Sequence, residues 1–336
     1  LPLAEKAARR PALAKHISNT GRKSSREHRQ DFSSANSVYK RVTDCIVEAL
    51  EAGVVPWRKP WQVSTAIPCN AVSKRPYHGI NLLLLGLSRF QDHRWLTFRQ
   101  ARELGGNVMQ GEHSSLAVFW KQLEARPEDE GSEKPRAKSF PLLRFYHLFN
   151  AQQCEGVKLP ELEVLHISQN ERIGAAEEFV RNIPNPPRLH EGLKYACYYP
   201  QLDMVQVPPI VSFVTPDAYY GVLFHELSHA TGHKKRLNRQ GVSDMPRFGS
   251  MNYSREELVA ELASSFCCAC LGLDNSLIEN SASYIDGWLK CLKEDSRAII
   301  SASAKAQKAA DYLRGKPANE VIALPSDDLV PEEVVA

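Results

Sequence analysis

The residues best suited to chemistry are His225-Glu226-Leu227-Ser228-His229. On a helix, positions i and i+4 share one face, so both imidazoles can reach a single cation. Glu226 then lies within reach of that cation's water and can act as its general base. The chemistry predicted is zinc-assisted hydrolysis of a peptide bond, with His225 and His229 as metal ligands and Glu226 as the catalytic carboxylate.

A bare H-E-x-x-H also arises by chance on buried helices, so its surroundings matter. Thr215 is placed to cap the helix and Pro216 suits its first turn. Tyr219, Tyr220, Leu223, Phe224 and Leu227 supply apolar surface, and Gly232 provides a stop. A catalytic zinc needs a third protein ligand and one open position. The extended metzincin spacing would put a histidine at position 235, which is Lys235, and His233 follows the glycine that ends the helix. The better source is Glu256-Glu257-Leu258-Val259-Ala260-Glu261, on a helix made apolar by Leu258, Val259, Leu262, Ala263 and Phe266. Carboxylates entering such a helix must be paired or metal-bound. Glu257 and Glu261 lie on one face. The pair resembles the Glu-x-x-x-Asp of glutamate zincins, whose first acid binds metal and whose second orients a ligand histidine. That resemblance makes Glu257 the third ligand and Glu261 the orienting acid, with the reverse assignment left open. Glu256 reads as an exposed acid at the helix start. Residues 194–207 read as a hairpin, either plain scaffold or an edge that holds extended peptide by strand addition. Cys267, Cys268 and Cys270 lie within the buried helix and read as core, not as a second metal site.

The elements that must position these groups belong to a chain of 336 residues, enough for about two domains. With 43% hydrophobic and 24% charged residues, its composition excludes collagen-like, wholly disordered and disulfide-scaffold classes. Eight cysteines without regular spacing read as thiols of a reducing, cytoplasmic compartment. Ile80 to Leu87 is too short an apolar run to span a bilayer, and Leu1 to Lys15 lacks the apolar core of a secretory signal. Residues 1–158 carry 25 basic and 15 acidic side chains, against 17 and 24 in residues 159–336. A basic half joined to an acidic half predicts a polyanion-binding module followed by one with other business.

The basic half interleaves its charges with rings. Trp57-Arg58-Lys59, Trp61, Lys74-Arg75-Pro76-Tyr77 and Phe98-Arg99 suit base stacking with phosphate neutralisation, the chemistry of single-stranded nucleic acid binding. The candidate contacts are Trp57, Arg58, Lys59, Trp61, Lys74, Arg75, Tyr77 and Arg99. The competing reading packs most of these rings into a core, as is expected of Trp95 and Phe119. Helical periodicity predicts a first helix over 37–52, a buried helix over 79–89 and a short one over 98–104. Residues 116–122 and 141–149 read as paired strands around a polar excursion at 124–139.

Taken together, the ordered pieces VYKRVTDCIVEALEAGVVPWRKPW, RPYHGINLLLLG, WLTFRQARELGG, FHELSHATGHKKRLNR, EELVAELASSFCCACLGL and AQKAADYL resemble the ArdC-type antirestriction proteins of conjugative plasmids and mobile elements. The resemblance covers roughly residues 36–314. It implies an N-terminal single-stranded-DNA-binding domain, a C-terminal zincin-like metallopeptidase domain, and protection of incoming DNA from host restriction. Where relatives carry a basic turn and a further glycine, this chain has Val108-Met109-Gln110-Gly111-Glu112-His113-Ser114, which removes expected phosphate contacts.

The expected architecture is therefore α+β. A disordered basic leader (1–34) precedes an α+β DNA-binding domain (35–158). A mostly helical zincin-like domain with a small antiparallel sheet (159–315) and an acidic tail (316–336) follow. The expected partners are single-stranded DNA and a protein substrate of unknown identity, with no membrane. Two rival readings are a DNA-binding shield whose zinc is purely structural, and a zinc protease with no DNA role. Glu226 favours an enzyme over a shield, because a structural zinc site has no use for that acid.

Overall fold

The structure, a computed structural model, describes residues 35–57, 67–88, 90–124, 139–160, 168–192, 195–242, 250–275 and 282–316. The leader, the polar excursion and the acidic tail lie outside the described residues, as do Arg58, Lys59 and Trp61.

Helix α1 (Ala35–Glu51) follows its apolar spacing: Val38, Val42, Ile46 and Leu50 are all buried. Gly53, at φ 75°, turns the chain out of it. After it come β1 (Cys69–Asn70), α2 (Ile80–Gly86), β2 (Arg94–Leu96), α3 (Phe98–Glu103), β3 (Asn107–Val108), β4 (Ser115–Glu124), β5 (Ser139–Asn150) and β6 (Cys154–Glu155). Thr97 starts α3 through a capping box with Gln100. A four-stranded sheet runs in the order β1-β2-β5-β4. β1 and β2 are parallel, and the long β4–β5 pair is antiparallel from Ser115↔Leu148 to Glu124↔Ser139. The edge strand β4 is closed by a side chain instead of a fifth strand. Asn81 of α2 accepts from the Val118 amide at 2.6 Å and donates to the Val118 carbonyl at 2.8 Å. Ala117, Leu148 and Trp95 on one sheet face join the main core. The other face carries Phe145, His147 and Phe149; its Phe145 end, with Val118 and Leu116, also packs on the main core, and His147 is exposed.

The second half contains α4 (Gln169–Arg181), β7 (Arg188–Glu191), β8 (Cys197–Tyr199), β9 (Met204–Val207), α5 (Pro216–Thr231), α6 (Met251–Leu271), α7 (Ala282–Glu294) and α8 (Ala298–Leu313). The expected hairpin is β8–β9. β7 adds to β9 in parallel, so this sheet is mixed and not wholly antiparallel; the hairpin turn brings β9 back in the direction of β7. Helix α6 is buried on nearly every face. The Ser264 hydroxyl donates to the Gly221 carbonyl of α5 at 2.7 Å. Against α7 the approach is closer still, since a Cβ on Gly287 would stand 2.8 Å from Ser254 Oγ. Cys267 and Cys268 are buried in α6, as core thiols should be.

One hydrophobic cluster joins both halves. The Trp57 ring meets Trp288 of α7 edge-on at 5.3 Å, and the Gly79 amide donates to Gln307 of α8 at 3.0 Å. The fold is α+β, with a mostly helical second half. No helix among the described residues is long and apolar enough to cross a membrane.

Candidate metal centre

Two helices build the site. Helix α5 starts where the Thr215 hydroxyl accepts from the Ala218 amide at 3.2 Å, with Pro216 in its first turn. It ends at Gly232, where glycine is required by space and not by unusual backbone geometry: a Cβ there would lie 2.4 Å from Val242 Cγ2. Helix α6 is capped by Ser250 and ends at Gly272 in the left-handed conformation (φ 66°). Packed together, they bring His225 and His229 of one against Glu256, Glu257 and Glu261 of the other.

The ring nitrogens divide their work. His225 Nε2 and His229 Nε2 stand 3.2 Å apart, and Glu257 lies 3.3 Å from the first and 3.6 Å from the second. One donor atom from each of His225, His229 and Glu257 falls within 4.8 Å of the others. Two imidazole nitrogens and one carboxylate oxygen suit a divalent cation, with room for a further ligand. The opposite nitrogens face carboxylates. His225 Nδ1 is 3.4 Å from Glu261, and His229 Nδ1 is 3.3 Å from Glu256. Each imidazole is thereby fixed from behind with Nε2 pointing inward.

Glu256 corrects the reading of an exposed helix-start acid. It is 8% exposed and receives Arg239 Nε at 2.9 Å. Arg239 in turn donates to Thr231 Oγ1 and to the Ser228 carbonyl, each at 2.9 Å. The sequence could not show this, because Arg239 lies beyond the helix end in a turn with no pattern. Asp203, unassigned from sequence, binds the buried Arg236 together with the Tyr198 hydroxyl and so ties the β8–β9 turn to the end of α5.

Charge is concentrated at the site. Burial alone would lower His225, but the Glu257 and Glu261 carboxylates raise it well above its usual value. His229, likewise opposed by burial, is pushed up to about 9, chiefly by Glu257. Burial works against ionised Glu257 as well, yet the two histidines hold it far below the usual carboxylate range. Glu226, 9% exposed, adds its charge to those raising His225; burial first, then the charges of Glu226 and Glu257, also raise the Cys197 thiol of β8. The edge strand therefore borders the site. Burial, Tyr284 and the Glu257 charge raise the Tyr253 phenol of α6, whose hydroxyl lies 3.2 Å from that of Tyr284 of α7.

Among the described residues expected to touch DNA, the two rings are buried and the cations are exposed. Trp57 is 2% exposed and Tyr77 is 5% exposed, so neither ring offers a face to a base. The reason is long-range: Trp57 packs on Trp288, and its carbonyl accepts from the Ser265 hydroxyl and from Asn275 Nδ2. Burial also pushes the Tyr77 phenol up to about 12. Lys74 and Arg75 are exposed on the turn after β1. Arg99 is exposed on α3 and pairs with Glu103 at 2.7 Å.

Comparison with known proteins matches each half of the chain to a family. The profile for the N-terminal domain of anti-restriction factor ArdC matches residues 36–149, and that for zincin-like metallopeptidases matches residues 174–305. The crystal structure of the antirestriction ArdC protein from plasmid R388, in its metal-free form, superposes with a TM-score of 0.64 at 35% identity, covering 82% of this chain and 96% of that one. The chain belongs to the ArdC-type antirestriction family. A Mn(II)-bound structure of the same R388 protein matches equally well, with 99% of that chain covered. Uncharacterized protein y4eC of Sinorhizobium fredii is 37% identical over 291 residues, 92% of its length. DNA primase TraC of Escherichia coli is 33% identical over 294 residues, but this chain spans only 27% of that relative.

Proposed function

We propose that the protein binds single-stranded DNA through its first half and hydrolyses peptide bonds through a divalent metal held by the second, as an antirestriction factor. The peptidase reading rests on one observation: two histidine Nε2 atoms and the Glu257 carboxylate converge, each histidine is backed by its own glutamate, and Glu226 lies alongside. The manganese found in the R388 relative supports a divalent metal, and the donor set suits zinc.

A cation bound by His225, His229 and Glu257 would supply Lewis-acid activation of water and of a substrate carbonyl. Glu226 accepts the proton of the attacking water and returns it to the leaving amine. Glu261 and Glu256 hold the imidazoles in the tautomer that leaves Nε2 free. As an edge strand, β8 offers a side along which an extended peptide can add. The reading of a DNA-binding shield with structural metal leaves Glu226 without a task.

The test uses the metal-loaded full chain on an unfolded protein such as casein. Cleavage should stop on chelation and in Glu226→Gln, whose metal content should match the parent. Cleavage that persists in Glu226→Gln would remove this residue from the mechanism.

A further inference from the structure

The face of the first-half sheet opposite Ala117, Leu148 and Trp95 carries a row of rings, buried against the main core at its Phe145 end and exposed at His147 and Phe98. Side chains at i, i+2 and i+4 of a strand share a face, which aligns Phe145, His147 and Phe149 along β5. Phe145 and His147 meet at 5.7 Å, and Phe98 at the start of α3 extends the row beyond Phe149 at 6.4 Å. His147 is exposed, and Phe98, at 40%, is the one exposed Phe, Tyr or Trp ring among the described side chains of residues 35–160. Cations stand at both ends. The Arg41 guanidinium lies 5.2 Å over Phe145. At the far end, α3 presents Arg99 and Arg102, and the turn bearing Lys74 and Arg75 is tied to it by Asn70 Nδ2 to Gln100 Oε1 at 3.0 Å. Glu103 pairs with Arg99, but both partners are more than half exposed, so the pair is weak.

We infer that single-stranded DNA stacks on this row, on Phe98, Phe149 and His147, with Arg99 and Arg102 neutralising phosphates. The inference rests on the DNA-binding reading and gives it a surface other than Trp57 and Tyr77. The basic excess of the first half and the flat, partly uncovered rings together fit a polyanion that has exposed π-faces. Alternate strand residues are about 6.6 Å apart, roughly twice the rise of a stacked base. A single strand can splay its bases that far; a duplex cannot.

The test measures anisotropy of a fluorescein-labelled oligothymidylate with the full chain across a salt series. The parent should bind, with affinity falling as salt rises. Phe98→Ala and Phe98→Leu should each weaken binding roughly 5- to 150-fold, the range of one lost stacking contact. Leu keeps apolar contact with Phe149 but has no π-face. His147→Ala should also weaken binding, and Arg102→Gln should reduce the salt slope by about 0.7. Melting temperatures should hold, because these side chains are exposed. Labelled duplex should bind more weakly and respond little to Phe98→Leu. If the parent binds no oligonucleotide at low salt, the DNA-binding reading itself fails. If the parent binds but Phe98→Leu and His147→Ala bind equally well, this surface is wrong while the DNA-binding reading stands.

Discussion

Replacing Glu256 by Gln should damage two properties at once, because one carboxylate serves two partners. Towards α5 it faces His229 Nδ1 at 3.3 Å; towards the following turn it binds Arg239. The substitution keeps the shape and removes the charge. Arg239 is 8% exposed, and its remaining partners, Thr231 Oγ1 and the Ser228 carbonyl, are both neutral. Breaking a buried ion pair from one side costs about 3–5 kcal/mol. At roughly 1.5–2 °C per kcal/mol, from an unfolding entropy of about 2 cal/mol/K per residue, the metal-free chain should melt about 5–10 °C lower. Losing the group behind a ligand histidine should also weaken metal binding about 10–100-fold. Glu261→Gln offers a contrast. It faces His225 Nδ1, so metal affinity should fall similarly while the melting temperature changes less. Adding Arg239→Met to Glu256→Gln should recover stability but not metal affinity, since only the arginine's loss of its partner is repaired. Calorimetry of metal-free protein and competition with a chromogenic chelator read the two effects separately. If Glu256→Gln leaves both the melting temperature and the metal affinity unchanged, the assignment of Glu256 to this network is refuted.

Trp57→Ala should lower stability by about 3–5 kcal/mol as a core truncation, with no loss of oligonucleotide affinity measured well below the melting point. The opposite pattern would return Trp57 to the DNA surface. Metal affinity should rise with pH through neutrality and level off above the His229 value of about 9, because the cation must displace protons from raised imidazoles; competition titrations at several pH values check this. In the metal-free chain the sign of the stability effect reverses. His229 contributes fully below its ordinary value of 6.5 and loses that contribution as pH rises through about 9. The depressed Glu257 contributes above its ordinary value of 4.5 and loses that contribution as pH falls. Melting temperature followed across this range should therefore decline on both sides.

Local patterns in the sequence carried α1, α2, α3, α5 and α6 and the convergence of His225, His229 and Glu257. Thr215, Pro216 and the i, i+4 histidines define α5 by themselves. Glu257 and Glu261 stand out because acids on an otherwise apolar helix need partners. Glu256 was misread because its partner, Arg239, reaches it from a turn beyond α5, where no periodicity marks its direction. Trp57 and Tyr77 were misread for a related reason. A ring beside a basic residue has the same pattern on a surface or in a core, and the groups that bury Trp57 (Trp288, Ser265 and Asn275) lie more than two hundred residues away. The ring row on β5 was hidden differently. Phe145, His147 and Phe149 lie in the expected strand, but only the fold shows that α1 and the core take Phe145 while His147 stays exposed.

The central claim is that His225, His229 and Glu257 hold the metal while Glu261 and Glu256 only orient the histidines. Elemental analysis of the purified chain and its variants tests it most directly. The account predicts close to one divalent metal per chain in the parent. Glu257→Ala should lose nearly all of it, and Glu261→Ala should retain metal with affinity reduced about 10–100-fold. Metal stripped by Glu261→Ala but kept by Glu257→Ala would reverse the ligand assignment and contradict the account.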